Sequence, residues 1–336
     1  MRRFLLWFGC FFLIVVLAGA GLLWHEVRLI LSPVSKEEKQ VLVSIPKGAS
    51  PAEIGKLLED AKVIRSAVVF RYLVDLKKMD TKLLAGEHLL DSGLDTSGII
   101  ESLVKGRFKM CRLTIPEGLT MSQVAAAVER AGLAKAEDLN RLFIDADFIH
   151  SLKLDEKNLE GYLFPETYYF TAGTSAREII RAMVNRFWDV WSRYEAKARA
   201  TGMTRHEIVT LASIVEKETG NASERPLIAA VFLNRLKQGM RLQSDPTVIY
   251  GLQNFNGNLT REHLETYTPY NTYQIKALPP GPIANPGEAS IKAVIEPAKV
   301  GYLYFVSKND GTHHFSKTLA EHTRAVNLYQ RRLHRR

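Results

Sequence analysis

The chain has 336 residues, 46% of them apolar and 24% charged, which excludes a disordered or fibrous polymer and leaves room for two or three domains. The net charge of +9 points to an anionic neighbour such as membrane lipid, cell-wall polymer or nucleic acid. No recognition helix, zinc-finger spacing or aromatic RNA-binding signature accompanies the charge, so nucleic acid is set aside. Cys10 and Cys111 imply no disulfide framework, and without a CxxC or HExxH pattern neither a metal nor a cofactor is expected.

Phe4–Trp24 carries no charge over 21 residues, enough to cross a hydrocarbon core of about 30 Å. Arg2 and Arg3 precede it, which places residues 1–3 in the cytoplasm and the bulk of the chain outside. The rival reading is a cleaved signal peptide, with Ala18-Gly19-Ala20 as the small-residue site. Residues 25–40 read as a polar linker. An internal repeat follows. Val43–Ser50 matches Leu113–Thr120, each a short strand, a Pro-x-Gly turn and a Ser or Thr that can cap. Amphipathic helices are expected next, over Pro51–Ala61 and Met121–Ala131. Strand, turn and helix in this order resemble small glycan-binding modules of the LysM kind, although two ordinary packing units would read the same way. Phe70–Lys77 reads as a helix, Gly86–Leu90 as a strand and Ser97–Lys105 as a helix closed by Gly106. Ala134–Ile149 has helical spacing and leads toward a second region.

The texture changes near Asp155. Leu159–Phe170 is dense in aromatics and carries Glu160 and Glu166, a mixture that suits sugar rings but also a core strand with a turn at Pro165. Ser175–Arg199 reads as a long amphipathic helix. Met203–Thr219 begins with a Thr204–Glu207 capping box and buries Ile208, Leu211, Ala212 and Val215 as one stripe. Glu218 lies roughly 60° from the centre of that stripe and Glu216 roughly 100°. A glutamate at the edge of an apolar face is partly desolvated and holds its proton nearer neutrality, as a general acid must. Charges at a helix end are more often simply solvated.

Ser223 is placed to cap a helix over Glu224–Gln238. Met240–Leu252 reads as a polar approach, an Asp-Pro break and a short β or helical segment. Thr268–Gly287 is a proline-rich loop whose tyrosines and asparagines suggest an ordered site loop. A short helix at Ala289–Ile295, a hairpin of Tyr302–Val306 with His313–Ser316, and a closing helix Leu319–Leu333 complete the chain.

LEGYLFPETY (159–168), LASIVEKET (211–219), VFLNRL (231–236), MRLQSDPTVIYG (240–251), YNTY (270–273), LPPGPIANPG (278–287) and the HxF at His313–Phe315 together resemble the MltG (YceG-like) family of endolytic murein transglycosylases. The resemblance covers about residues 40–330. It implies an α+β protein with an N-terminal transmembrane helix (4–24), a LysM-like α/β region (41–154), a mixed α+β catalytic domain (155–330) and a basic tail (331–336). It further implies a lytic transglycosylase of peptidoglycan glycan strands at the inner membrane, outside the cytoplasm, near peptidoglycan synthases. The family's catalytic glutamate corresponds to Glu218. Glu166, Gln243, Asp245, Tyr250, Asn271, Tyr273, Asn285 and His313 are candidates to bind sugar or support Glu218. A water-consuming muramidase and a non-catalytic glycan-binding scaffold are the alternatives.

Overall fold

A computed structural model describes residues 28–35, 40–106, 110–171, 174–252 and 255–331. The expected anchor Phe4–Trp24, its rival cleavage site and residues 332–336 of the basic tail lie outside the described residues. Among the described residues no helix is long and apolar enough to cross a membrane. The architecture is mixed α+β, with three two-stranded sheets set among helices in the described residues. It divides into two compact units, the first running to Cys111 and including Thr171, the second holding Arg112–Phe170 and the chain from Thr174, so that the boundary falls inside the strand Met110–Thr114.

The first unit runs β1 (Gln40–Ile45), α1 (Pro51–Asp60), α2 (Ala67–Leu76), β2 (Gly86–Asp91) and α3 (Thr96–Lys105). β1 and β2 pair antiparallel from Gln40 opposite Asp91 to Ile45 opposite Gly86. Alternation along β1 sends Val43 and Ile45 inward, where they meet Ile54 and Leu58 of α1, Phe70 and Val74 of α2, and Leu103 of α3. Ser50 and Glu53 close a capping box at the start of α1. Gly106 ends α3 in the left-handed conformation, as expected from its position after Lys105.

The second unit opens on the second copy of the repeat, β3 (Met110–Thr114) and α4 (Met121–Arg130), again with a capping box, here of Thr120 and Gln123. β3 pairs with β4 (Thr167–Thr171), and the Ile115 amide extends the ladder by donating to Glu166 O at 2.9 Å. Leu113, Ile115, Val124 and Val128 join the large core with Ile208, Leu211 and Phe232. The division into compact units falls near residue 112. α4 carries an apolar face of its own, with Val124, Ala125 and Val128, and the helix Ala136–Leu142 packs against it. Ala134–Ile149 is not one helix but two, α5 (Ala136–Leu142) and α6 (Ala146–Ser151), because Asp145 turns its carboxylate onto the Phe148 amide and starts a new cap.

Most of the aromatic stretch faces inward, with Tyr169 exposed. Tyr162, Phe164 and Phe170 are buried, so the core-strand reading describes it better than a sugar-stacking face. Tyr162 packs edge-on against Phe187 of α7 (Ala176–Ala200), at 5.0 Å between ring centres. Gly161 makes this turn possible. Its φ is +89°, and a Cβ there would stand 2.5 Å from the Pro282 ring.

α8 (Arg205–Glu218) is the centre of the unit. The Thr204 capping box forms as expected, with Glu207 N donating to Thr204 Oγ1 at 3.2 Å and Thr204 N donating to Glu207 Oε2 at 2.7 Å. The helix is not amphipathic through its middle, since all eight residues from Ile208 to Val215 are buried. α9 (Arg225–Lys237), α10 (Asp245–Gly251) and α12 (Glu288–Ile295) pack around it, and the proline loop covers the remaining side. The Ile283 amide donates to Ser213 Oγ at 3.0 Å, which explains a serine deep in that helix.

α9 begins without a side-chain cap. Ser223 instead donates to Asn221 Oδ1 at 2.8 Å within the preceding turn. Thr268–Gly287 holds turns and bends only. A short α11 (Arg261–Glu265) precedes it, and the hairpin β5 (Tyr304–Ser307) with β6 (His313–Ser316) follows α12. The closing helix α13 stops at Val326 and continues as a π turn to Arg331.

Candidate active site

Glu216 and Glu218 leave α8 in different directions, and their partners distinguish them more sharply than their burial does. The Glu216 side chain is only 5% exposed, yet both its oxygens are used. Arg225 Nη2 donates to one at 3.0 Å and the Gly287 amide to the other at 3.0 Å. Arg225 also reaches the half-exposed Glu117 at 3.3 Å, so the buried Glu216–Arg225 pair extends to the surface and joins α8, α9 and the turn after β3. A Cβ on Gly287 would meet the end of the Glu117 side chain, which would have to swing aside.

Glu218 is the last residue of α8, and Thr219 continues in extended conformation. Its carboxyl lines a cavity of about 290 Å³. Burial pushes its pKa up to about 7, and the nearby Asp245 adds to that; the Ser244 hydrogen bond, His313 and Arg235 pull the other way. Ser244 Oγ donates to Glu218 Oε1 at 2.5 Å. The serine is itself fixed: its amide donates to Thr272 Oγ1 at 3.0 Å, and its carbonyl accepts from Thr247 Oγ1 at 2.6 Å. A carboxyl poised near neutrality, with one oxygen held and the group open to a cavity, can give a proton and take one back.

The structure brings Gln243, Asp245 and Tyr273 to this cavity beside Glu218. The Tyr273 hydroxyl donates to Asp245 Oδ1 at 2.6 Å, so the loop and the start of α10 meet at the cavity mouth. Gln243 adopts φ +52°, an uncommon left-handed backbone for a glutamine, at the turn that aims Ser244 inward. The other candidates lie elsewhere. Glu166 is a surface partner of Arg186 at 3.0 Å. Asn271 is fully buried, and its Nδ2 donates to the carbonyls of His263, Leu264 and Thr266. Asn285 is also buried, its Oδ1 accepting from the Leu163 amide at 2.9 Å and its Nδ2 donating to Leu119 O at 2.9 Å. Both asparagines thus tie the long loop to backbone outside it, Asn271 to the end of Arg261–Glu265 and Asn285 to the segments at Leu119 and Leu163. Tyr250 donates to Glu160 Oε2 at 3.1 Å. His313 Nδ1 sits 2.7 Å from Glu224 Oε2, where it acts on Glu218 only through space.

Ser244, Arg235, Leu242, Phe305 and His322 were not singled out from the sequence. Ser244 stands between two residues that were, and Arg235 continues the Ile228–Phe232 stripe of α9, so an arginine on a buried stripe was a readable signal. The Arg235 guanidinium donates from Nε to Leu303 O at 2.7 Å and from Nη1 to Leu242 O at 2.6 Å, which holds a positive charge at the cavity wall. Phe305 and His322 arrive through the hairpin and α13, and no local pattern announced them. Among the described residues no group of three or more metal-ligating side chains occurs.

The YceG-like family profile matches residues 43–328. An endolytic murein transglycosylase of Bacillus subtilis strain 168 is 36% identical over 320 residues, covering 90% of this chain and 88% of that one. A protein of the same name from Streptococcus pneumoniae serotype 2 is 31% identical over 350 residues, covering 94% of this chain and 63% of the longer relative. The crystal structure of a yceG-like protein from Listeria monocytogenes aligns with a TM-score of 0.60 at 36% identity, over 86% of this chain and all of that one. With the family profile spanning most of its length and relatives above 30% identity along nearly all of it, this chain belongs to the YceG-like family.

Proposed function

We propose that the protein is an endolytic lytic transglycosylase that cuts the MurNAc–GlcNAc bond inside peptidoglycan strands, with Glu218 as its single acid–base. The observation that carries the reading is the Glu218 carboxyl, lifted to about 7 and clasped by Ser244 in an open cavity. Protonated Glu218 gives its proton to the glycosidic oxygen leaving C1 of MurNAc, and an oxocarbenium-like centre forms. The resulting carboxylate takes the proton of the C6 hydroxyl, and that oxygen closes on C1. The products are a 1,6-anhydro-MurNAc end and a free GlcNAc hydroxyl, with no water consumed. The Ser244 hydrogen bond steadies the carboxylate between the two proton transfers. Asp245 and Tyr273 border the space where sugar hydroxyls would lie.

Asp245 beside Glu218 keeps a hydrolytic muramidase as the second reading, with Asp245 activating water. Cleavage in heavy-oxygen water separates them. Transglycosylation leaves the new MurNAc ends unlabelled and anhydro, whereas labelled reducing ends would refute it.

Around this chemistry stand four further proposals. The Phe4–Trp24 segment anchors the chain in the inner membrane with its catalytic unit outside the cytoplasm. The β1–α1–α2–β2 order of the first unit supports a LysM-like module, and Pro46–Ala49 with Glu53 and Lys56 line a cavity of about 440 Å³ there. The enzyme works near peptidoglycan synthases. Its internal cuts limit the elongation of nascent strands.

A further inference from the structure

A second cavity in the same unit, of about 310 Å³, takes no part in the chemistry at Glu218. Lys157, Asn158, Glu160, Tyr270, Pro280 and Pro282 contribute to its wall. The wall is rigid. Glu160 is 2% exposed and accepts from the Met121 amide at 2.9 Å and the Tyr250 hydroxyl at 3.1 Å. His206 sits with Nδ1 at 2.6 Å from Glu156 Oε2 and Nε2 at 2.9 Å from Pro280 O. Both ring nitrogens face acceptors, so the imidazolium form satisfies both and clips the proline loop in place. Burial of the polar groups is matched by internal hydrogen bonds almost throughout. The half-buried Tyr270 hydroxyl makes no hydrogen bond among the described residues, while its ring packs against Tyr250 at 4.8 Å. It stands 3.6 Å from the point where a Cβ on Gly281 would be.

The two cavities lie along α8, with His206 of its first turn in this one and Glu218 at its end in the other, about 18 Å apart at 1.5 Å per residue. Tyr270 lines one and Tyr273 the other, three residues apart and within about 10 Å even for a fully extended chain. α10 repeats the relation, with Asp245 in the Glu218 cavity at its start and Tyr250 against Tyr270 near its end. A linear ligand held at Glu218 therefore reaches the second cavity after a few sugar units. The chemistry suits a pyranose. The hydroxyl edge of such a ring needs both donors and acceptors, here Asn158, Lys157 and the spare Tyr270 hydroxyl, and its C–H face needs an apolar wall, here the proline rings.

We propose that this cavity is a distal saccharide subsite that takes a pyranose of the same glycan strand a few sugars from the bond at Glu218. It rests on the reading of the protein as a glycan-cleaving enzyme. The subsite favours strands long enough to fill both cavities, and so directs cuts to the interior of a chain.

Gly281 offers the test, because a Cβ there meets its neighbours at ordinary contact distance and its backbone is not left-handed. Gly281→Leu fills the cavity, and Tyr270→Phe removes only the spare hydroxyl. Initial rates of the full chain are compared on peptide-free strands and on short oligosaccharides that reach only Glu218. On long strands both variants are expected to raise KM, Gly281→Leu by about tenfold, with kcat kept and cut positions moved toward strand ends. Rates on short oligosaccharides stay unchanged. Equal KM for both lengths, or equal loss on both, overturns the proposal, as does an effect seen only on strands that carry stem peptides. Binding of long strands to Glu218→Gln, with and without Gly281→Leu, tests the subsite even if the wild type makes no anhydro ends. A tenfold weaker binding supports the subsite, and no change refutes it.

Discussion

Replacing Ser244 by alanine removes one hydroxyl and leaves the surrounding framework in place, because the serine amide and carbonyl carry the bonds to Thr272 and Thr247. The hydroxyl donates to Glu218 Oε1 at 2.5 Å, and it favours the ionised carboxylate. A hydrogen bond to a charged group contributes about 1.5–3 kcal/mol. If most of that acts on the carboxylate alone, its loss raises the Glu218 pKa by roughly 1–2 units, from about 7 toward 8 or 9. The acid form gives the first proton, so kcat/KM falls as pH rises through that pKa. The alkaline limb of the wild-type profile is therefore expected near 7, and in Ser244→Ala it moves up by one to two units. The plateau drops as well, on the order of tenfold, since the carboxylate that recovers the C6 proton is less well held. The assay is the initial rate of anhydro-end formation across pH 5–10 on uncrosslinked strands. An alkaline limb that stays put, or moves down, would refute the role given to Ser244 and the direction of the electrostatics at Glu218.

Arg225→Met leaves the Glu216 side chain buried without its cation, and unfolding in denaturant is expected to show a loss of about 3–5 kcal/mol. A loss below 1 kcal/mol would mean that Glu216 is solvated after all. Asn271→Ala strips a buried amide from the carbonyls of His263, Leu264 and Thr266 at the end of α11, so a stability loss of about 2–4 kcal/mol is expected by the same measurement. Unchanged stability with a raised KM would instead return Asn271 to the sugar-binding role first read from the sequence.

Much of the fold was legible because local signals agreed with packing. The Thr204 box, the glycine after Lys105 and the two copies of the strand–turn–helix entry all lie where their chemistry placed them. The misreadings have physical causes. Asp145 looked like one more polar residue on a helix, but its short side chain competed for backbone and divided that helix. Ser223 looked like a cap, yet the helix begins at Arg225, so the N-cap position falls on Glu224 and Ser223 lies one residue outside it. The aromatics at 162–170 have the composition of a sugar platform, and long-range packing such as Tyr162 against Phe187 of α7 turns Tyr162, Phe164 and Phe170 inward while Tyr169 stays exposed. At the candidate site, periodicity placed Glu218 nearer the apolar face than Glu216. What separates the two in three dimensions is Arg225, nine residues from Glu216 in sequence, and the Gly287 amide beyond a long loop. Asn271 and Asn285 were read as ligands because polar residues in a proline-rich loop suggest a site. In the structure both side chains are buried and bind backbone of neighbouring segments, at His263–Thr266 and at Leu119 and Leu163, so they fasten the loop to its surroundings. Arg235 and His322 come to the cavity through a helix and the segment after a hairpin, whose meeting no single stretch encodes.

The central claim is that one carboxyl performs both proton transfers. The most direct measurement is mass analysis of strand ends after uncrosslinked glycan is treated with the wild-type protein and with Glu218→Gln. Retained circular dichroism would show that the variant is folded. The glutamine keeps the shape of the side chain and can still accept from Ser244, but it can neither give nor take the proton. The wild type should yield new 1,6-anhydro-MurNAc ends from internal cuts, and the folded variant none. Anhydro ends formed by Glu218→Gln at a comparable rate would contradict the assignment.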